Sequence, residues 1–474
     1  MYGAVTQRAI GTVEAAAPAR RRAHAMMTTA DPCRGGLPSE WSAAIDQLAA
    51  GSLQRLDESG APTGQRLFVL AAGNVQIKDW QDYPDSNLLS PVEDPSQAWN
   101  ALAVGAFTEL TEIDRGKWPS LSPIAMRGGL SPASSTSVLW SGSRWPFKPD
   151  VVAEGGNGST DSKGPVDGPE SLRLLTTAHD MTKALLTEAG DTSAAAAQVA
   201  RLASHISARY PDYQPETIRA LIIHGAKYTD AMRAGMTLNP GRNQKENLVR
   251  RFGFGAIDFE SSLNSSSRRP VMVVEDTLHP YKREGSSCKL NEHNLHTLPW
   301  PAEQLAAYGS ADVEMRVTLS YFVFPNPSRR GWQSKFRYPS HGLRFAVKGA
   351  TETPEIFAQR INKIEREKAE DEESASARND PDRGGWLLGQ HLRSRGSVQS
   401  DTWSGSAAAL AEKSDIAIFP VGGWWKEWTN SEGQDAAVRY SLIVSLRIAE
   451  TLDVDLYSPI QNELGVPITV EGQL

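Results

Sequence analysis

GDTSAAAAQVARLASHISARY, residues 190–210, decides more of the fold than any other stretch of the 474-residue chain. A glycine-bearing turn gives way near Thr192 to a helical pattern, and the four alanines Ala194 to Ala197 carry almost no side chain. A face this smooth can approach a sheet or another helix closely, so the pattern predicts a buried helix. Its first turn holds Ser193. A helix N-terminus offers free backbone N–H groups and a partial positive charge, so a hydroxyl placed there can attack a carbonyl while those donors hold the oxyanion that forms. The residues alone leave a second reading open, in which Thr192 or Ser193 caps the helix, as Ser and Thr commonly do.

Upstream of this helix, short apolar runs alternate with helical patterns, the rhythm of βαβ units around a parallel sheet. The strand candidates are His24 to Thr29, Arg66 to Ala72, Ala101 to Ala106 and Pro149 to Ala153. A second helix is predicted from Pro215, where PETIRALIIHGA places proline in the first turn with glutamate behind it. The run Ala71-Ala72-Gly73-Asn74 closes the strand RLFVL and puts a carboxamide at a strand's C-terminal end, where open parallel sheets bind ligands. Asn74 there is suited to be a second donor to an oxyanion, although asparagine in a turn needs no catalytic explanation.

Beyond the polar linker SSLNSSSRR, Ser261 to Arg269, the apolar period changes to two. In MRVTLSYFVF the residues Met315, Val317, Leu319, Tyr321 and Val323 share one side, and in RYSLIVSLRI the residues Tyr440, Leu442, Val444, Leu446 and Ile448 do the same. PVMVVED, GLRFAVKG, DIAIFPV and DVDLYSPI add short strands between turn residues, the pattern of an antiparallel sandwich or jelly roll. The predicted architecture is therefore an α/β domain over residues 1–262 followed by a β-rich domain over 270–474. The second is interrupted at about 353–380 by a charge-dense segment, read as a solvated helix running into a flexible loop.

Composition narrows the function. Hydrophobic residues at 40% and charged residues at 22% are ordinary for a globular protein and exclude collagen-like or wholly disordered chains. A net charge of -7 argues against a nucleic-acid partner, since it leaves no basic surplus to neutralise phosphates. No run reaches the roughly 20 apolar residues of a membrane span, and the mean hydropathy is -0.40. Arginines follow, rather than precede, the small-residue run of the N-terminus, which argues against a secretory signal. Two cysteines, Cys33 and Cys288, form no disulfide framework and match no metal-ligand spacing, so a reducing, cytoplasmic setting is the simplest reading. His293 and His296 lack an acidic or cysteine partner at ligand spacing, and no metal or cofactor is expected.

A series of ordered segments resembles a known family. The strand ending AAGN, then NALAVGAFTE, LSPASSTS, KPDVVAEGG and the helix GDTSAAAAQVA, followed by YPDYQPETIRALIIHGA, stand in the order found in subtilases, the subtilisin-like serine peptidases, over roughly residues 20–260. The resemblance implies that Ser193 is the nucleophile, that its own N–H is one oxyanion donor and that Asn74 is the other. MMTTADPCRGGLPSEWSAAIDQLA resembles the substrate-pairing strand and the helix after it, which implies backbone contacts from Thr28 and Thr29 to an extended peptide. Ala71, Ala72 and Gly73 would line the neighbouring pocket for the substrate side chain. The implied partner is a polypeptide substrate.

The departures are specific. Asp191 separates the glycine from the threonine and serine of the usual motif, and Ala197 stands where a proline is usual. Neither the aspartate in D-[ST]-G nor the histidine in H-G-T is present upstream of Thr28. His24 is read as a strand histidine, His179 as a surface residue, and His205 and His224 as packing residues; the other five fall outside the resemblance. Three expectations follow. The first is a serine endopeptidase represented by an N-terminally incomplete, inactive chain. The second is a non-catalytic peptide-binding remnant, or a half-protein that needs a complementing chain. The third is a protein that binds partners through its β domain, with Trp332, Trp386, Trp403, Trp424, Trp425 and Trp428 as candidate gripping surfaces against a default of core packing.

Overall fold

The computed structural model describes residues 1–140, 145–237, 239–285, 287–334, 337–367, 384–428, 433–448 and 456. The chain divides into two units. One comprises Met1–Ser52, Gly64–Leu263 and Phe322–Lys335; the other comprises Leu53–Thr63, Asn264–Tyr321 and Phe336–Leu474. Two short segments thus cross the single cut expected between 262 and 270.

The first unit is built on a sheet whose strands β1 (Ala23–Met26), β2 (Leu67–Ala71) and β3 (Leu102–Thr108) lie side by side. Pairings β1 to β2 and β2 to β3 are parallel; β3 also takes the antiparallel β4 (Gly129–Leu130) and the parallel β5 (Val151–Glu154). Every residue of β2 and β3 is buried, which is why they read as continuous apolar runs rather than alternating ones. The run at His24 predicts a strand to Thr29, but the strand ends at Met26.

Helix α1 (Tyr2–Ala16), which no sequence pattern announced, packs on α2 (Glu40–Ala50). Tyr2 stacks on Trp41 at 4.8 Å, and the Trp41 indole N–H donates to Thr6 at 2.9 Å. Helix α2 starts at a Ser39 cap and lays Trp41, Ile45 and Ala49 on Phe68 and Leu70 of β2. Two strands, β6 (Leu174–Thr177) and β7 (Leu186–Ala189), form a hairpin just before the serine-bearing helix, which no pattern in the sequence announces. Then α3 (Asp191–Arg209) crosses the sheet, burying Thr192, Ala195, Ala196, Val199, Leu202, Ala203 and Ile206 at three- and four-residue spacing. Next, α4 (Pro215–Gly225) has Pro215 in its first turn, as expected, and is buried along almost its whole length.

In the second unit, β8 (Val271–Leu278), β9 (Asn294–Thr297), β10 (Asp312–Tyr321), β11 (Gly342–Val347), β12 (Val398–Ser406), β13 (Asp415–Val421) and β14 (Val438–Ile448) make two antiparallel sheets. Their orders are β8-β14-β10-β12 and β9-β13-β11. The alternating positions pair in register, Val317 with Val444, Leu319 with Leu442 and Tyr321 with Tyr440. Helix α5 (Pro354–Glu367) corrects one expectation. It is not simply solvated, because Phe357 and Ile361 bury against Ala417 and Phe419 of β13. The expected loop after it lies outside the described residues, as does most of DVDLYSPI.

Candidate active site

The site is assembled at the C-terminal ends of β2 and β5, where α3 begins. Gly190 precedes α3 and no side chain of its own turn caps it. Instead the cap comes from the turn after β2. Asn74 Oδ1 accepts the Thr192 N–H at 3.1 Å and the Thr192 hydroxyl at 2.7 Å, and that hydroxyl also lies 3.2 Å from the Gly73 carbonyl oxygen. Thr192 is completely buried. The local capping reading is thereby corrected, since Thr192 spends its hydroxyl on the turn that follows β2 and not on its own helix.

With its oxygen engaged, the Asn74 carboxamide has its Nδ2 donor left over. Among the described residues, neither that nitrogen, nor the Ser193 N–H, nor the Ser193 hydroxyl has a hydrogen-bond partner. Ser193 is half-buried in the first turn of α3. Two unengaged donors and a hydroxyl therefore share one helix start, which also carries the dipole's positive end.

The inserted Asp191 takes φ 65°, the left-handed region that non-glycine residues rarely adopt. In that conformation its N–H donates to the Gly155 carbonyl at 2.6 Å, tying the helix start to the end of β5. Gly155 must lack a side chain, because a Cβ there would stand 2.4 Å from the Ala106 Cβ and 2.9 Å from the Asp191 oxygen. Burial raises the Asp191 carboxyl above the usual carboxylate range, opposed by Arg173, whose guanidinium lies 3.3 Å from Asp191 and 3.0 Å from Asp167. No motif in the sequence marks Arg173. The departure at Ala197 falls on an exposed position of α3.

Thr28 is exposed. Thr29 donates its hydroxyl to a carboxylate oxygen of Glu93, whose other oxygen lies 3.4 Å from the Asn74 N–H. The neighbouring backbone edge is occupied, since Ala30 and Asp94 exchange two backbone hydrogen bonds. Ala71 to Gly73 are buried, and Gly73, at φ 104°, packs its Cα against the Glu93 side chain.

None of the four histidines of this unit is bonded to Ser193. His24 pairs with Glu14 at 3.8 Å and stacks on Phe68 at 5.2 Å, and burial lowers its pKa. His205 meets Phe259 edge-on at 6.1 Å, His224 is buried, and His179 lies in the β6–β7 connection. Of the six tryptophans considered for partner binding, Trp386, Trp403, Trp424 and Trp425 are buried, whereas Trp428 is 43% exposed. Trp332 belongs to the first unit and donates to the Asn326 carbonyl at 2.7 Å.

Against known families, the model of the subtilase family (peptidase S8) matches residues 1–255. The chain belongs to the subtilase family. Protein y4bN of Sinorhizobium fredii is 26% identical over 296 residues, 60% of this chain and 63% of the relative. The chain thus spans less than two thirds of that relative's length. Among solved subtilases and other proteases, one from Pseudoalteromonas arctica shares 16% identity over 50% of this chain and 49% of its own, with a TM-score of 0.29. MycP1 from Mycobacterium smegmatis shares 19% over 42% of each chain, with a TM-score of 0.22. The epidermin leader peptide processing serine protease of Staphylococcus aureus shares 17% over 43% of this chain and 41% of its own, with a TM-score of 0.24.

Proposed function

We propose that the subtilase unit performs, or is built to take part in, acyl transfer on polypeptide substrates, with Ser193 as nucleophile and Asn74 as an oxyanion donor. The observation that carries this reading is the double hydrogen bond from Thr192 to Asn74 Oδ1, which holds the carboxamide beside the serine with its N–H donors unspent. In the proposed step, Ser193 Oγ attacks the peptide carbonyl carbon, its proton passes to a base, and the carbonyl oxygen becomes an oxyanion held by Asn74 Nδ2 and the Ser193 N–H. Collapse then expels the amine, protonated by that same base, and leaves an acyl-serine for water to hydrolyse. Thr28, Thr29 and Ala71 to Gly73 are assigned to the substrate.

The base is the missing component. Among the described residues, no side chain accepts a hydrogen bond from Ser193, and in subtilisin loss of one triad member lowers turnover by up to about 10⁶. This favours a second reading, in which the 474 residues bind peptide but need a base from a complementing chain to cleave it. For either reading we propose a reducing, cytoplasmic setting, on the low cysteine content of the sequence alone.

Fluorophosphonate labelling followed by peptide mapping tests the assignment. Ser193 is expected to be the labelled serine, slowly in this chain and faster with the base supplied, and Asn74→Ala is expected to slow labelling. The expected loss is of the order of 10²–10³, the figure measured for the corresponding asparagine of a subtilisin. Labelling that is fast without any added base, or that falls on another serine, counts against it.

A further inference from the structure

Glu93 stands at the junction between the two segments assigned to substrate. Its side chain lies so close to Gly73 that a Cβ on that glycine would come within 2.5 Å of the Glu93 carboxyl carbon. One carboxylate oxygen accepts from the Thr29 hydroxyl, and the other faces the Asn74 N–H at 3.4 Å. From Gly73 the path to the nucleophile is short, because the Thr192 hydroxyl reaches the Gly73 carbonyl oxygen at 3.2 Å and Ser193 is the next residue. The carboxylate thus borders the place where the side chain adjoining an attacked carbonyl would lie.

Its hydrogen bonds come from neutral donors only. Among the described residues, no Lys, Arg or His forms an ion pair with Glu93, although the side chain is half-buried. A half-buried carboxylate without a counter-charge costs free energy that a cationic ligand recovers. The adjacent Asp94 points elsewhere, its Oδ1 accepting from Ser39 Oγ at 2.6 Å and Gln97 Nε2 at 2.8 Å. It is Glu93, not Asp94, that lies against Gly73 and faces the Asn74 N–H.

We infer that Glu93 is a specificity-determining residue, selecting polypeptides with arginine or lysine at the residue whose carbonyl faces Ser193. This rests on the peptide-cleft reading above and adds to it the charge of the substrate. A guanidinium reaching the carboxylate would form a charge-assisted pair with the geometric fit of a planar fork, in a setting between solvent and core. A preference of about tenfold over an uncharged side chain of similar length is expected, equivalent to about 1.4 kcal/mol.

The test measures binding, so no catalytic base is needed. Fluorescein-labelled tetrapeptides differing only in a final arginine, norleucine or glutamate are titrated by anisotropy onto the full chain carrying Ser193→Ala. The arginine peptide should bind about tenfold tighter than the norleucine peptide, with glutamate weakest and the arginine advantage shrinking between 0.05 and 0.5 M salt, values chosen to span the screening range. In Glu93→Gln, whose amide oxygen can still accept from Thr29, the ratio should fall to about one; Glu93→Arg should invert the order. Circular dichroism on both variants separates misfolding from lost selectivity. Equal binding of arginine and norleucine peptides, or a preference that survives Glu93→Gln, overturns the inference and leaves the cleft standing. If none of the three peptides binds, the cleft itself is refuted and the inference falls with it.

Discussion

Thr192 and Asn74 are the hinge of the site, and a double-mutant cycle between them measures the contact without requiring activity. Thr192→Val keeps the side-chain shape and removes the hydroxyl, deleting the 2.7 Å bond to Asn74 and the 3.2 Å contact to the Gly73 carbonyl oxygen. Neither acceptor is orphaned. Asn74 Oδ1 retains the Thr192 N–H, and the Gly73 oxygen retains the Ser135 N–H at 3.2 Å. The cost should therefore stay near that of one neutral hydrogen bond, about 1–1.5 kcal/mol. Asn74→Ala removes both bonds to the carboxamide and should cost about 2 kcal/mol. In the double variant the hydroxyl bond cannot be lost twice, so the two costs should fall short of additivity by about 1 kcal/mol. Hydrogen exchange on peptides spanning residues 186–200, in a urea series on the full chain, reports this region separately from the second unit. Single-variant effects that add to within about 0.3 kcal/mol, as for distant sites, would refute the contact.

Three further outcomes follow from buried groups. Lys148 and Asp150 form an ion pair at 2.7 Å with both side chains almost wholly buried, and Asp150 also accepts the Ala103 N–H. Lys148→Met strands that carboxylate and should destabilise the first unit by about 3–5 kcal/mol in denaturant titration, whereas Lys148→Met with Asp150→Asn should recover part of the loss. In the second unit, burial pushes the His341 imidazole down to about 3 from its ordinary 6.5, and the ring is stacked on Trp425 at 5.4 Å. The unfolded chain then takes up the proton first, so this contribution is intact above pH 6.5 and is lost as pH falls toward 3; at pH 5 the loss is about 2 kcal/mol. Tryptophan-monitored melts should show that slope flattened in His341→Phe. Burial likewise raises the Cys33 thiol to about 11 from 9, with the Asp94 charge adding to it. Iodoacetamide should modify Cys33 about a hundredfold more slowly at pH 8 than a solvated thiol, as followed by mass spectrometry.

The sequence was informative where local pattern and burial coincide. β2 and β3 are buried on both faces, so their apolar runs marked them within one or two residues. The small-residue face of α3 announced a helix lying on a sheet, and the order of AAGN before GDTS brought Asn74 and Ser193 to one place. Long-range exchange of partners left no such trace. Phe322 to Lys335 joins the first unit because Asn100 makes a two-way bond with the Val323 backbone and the Arg219 guanidinium stacks over Phe322 at 4.6 Å. Nothing in MRVTLSYFVFPNP encodes that switch. Helix α5 hid its core contacts, Phe357 and Ile361, one turn apart inside a dense run of charge. Helix α1 lacks a broad apolar stripe and docks through Tyr2, Gly3 and Thr6. Glu93 matters through the glycine and threonine it meets, neither of which is near it in the chain.

A peptide boronic acid offers the most direct measurement, since boron forms a tetrahedral adduct on a nucleophilic serine and mimics the oxyanion. The crystal structure of that adduct should show boron bonded to Ser193 Oγ and a boronate oxygen within about 3 Å of both Asn74 Nδ2 and the Ser193 N–H. A boronate attached to any other residue, or an Asn74 carboxamide turned away from it, would contradict the account.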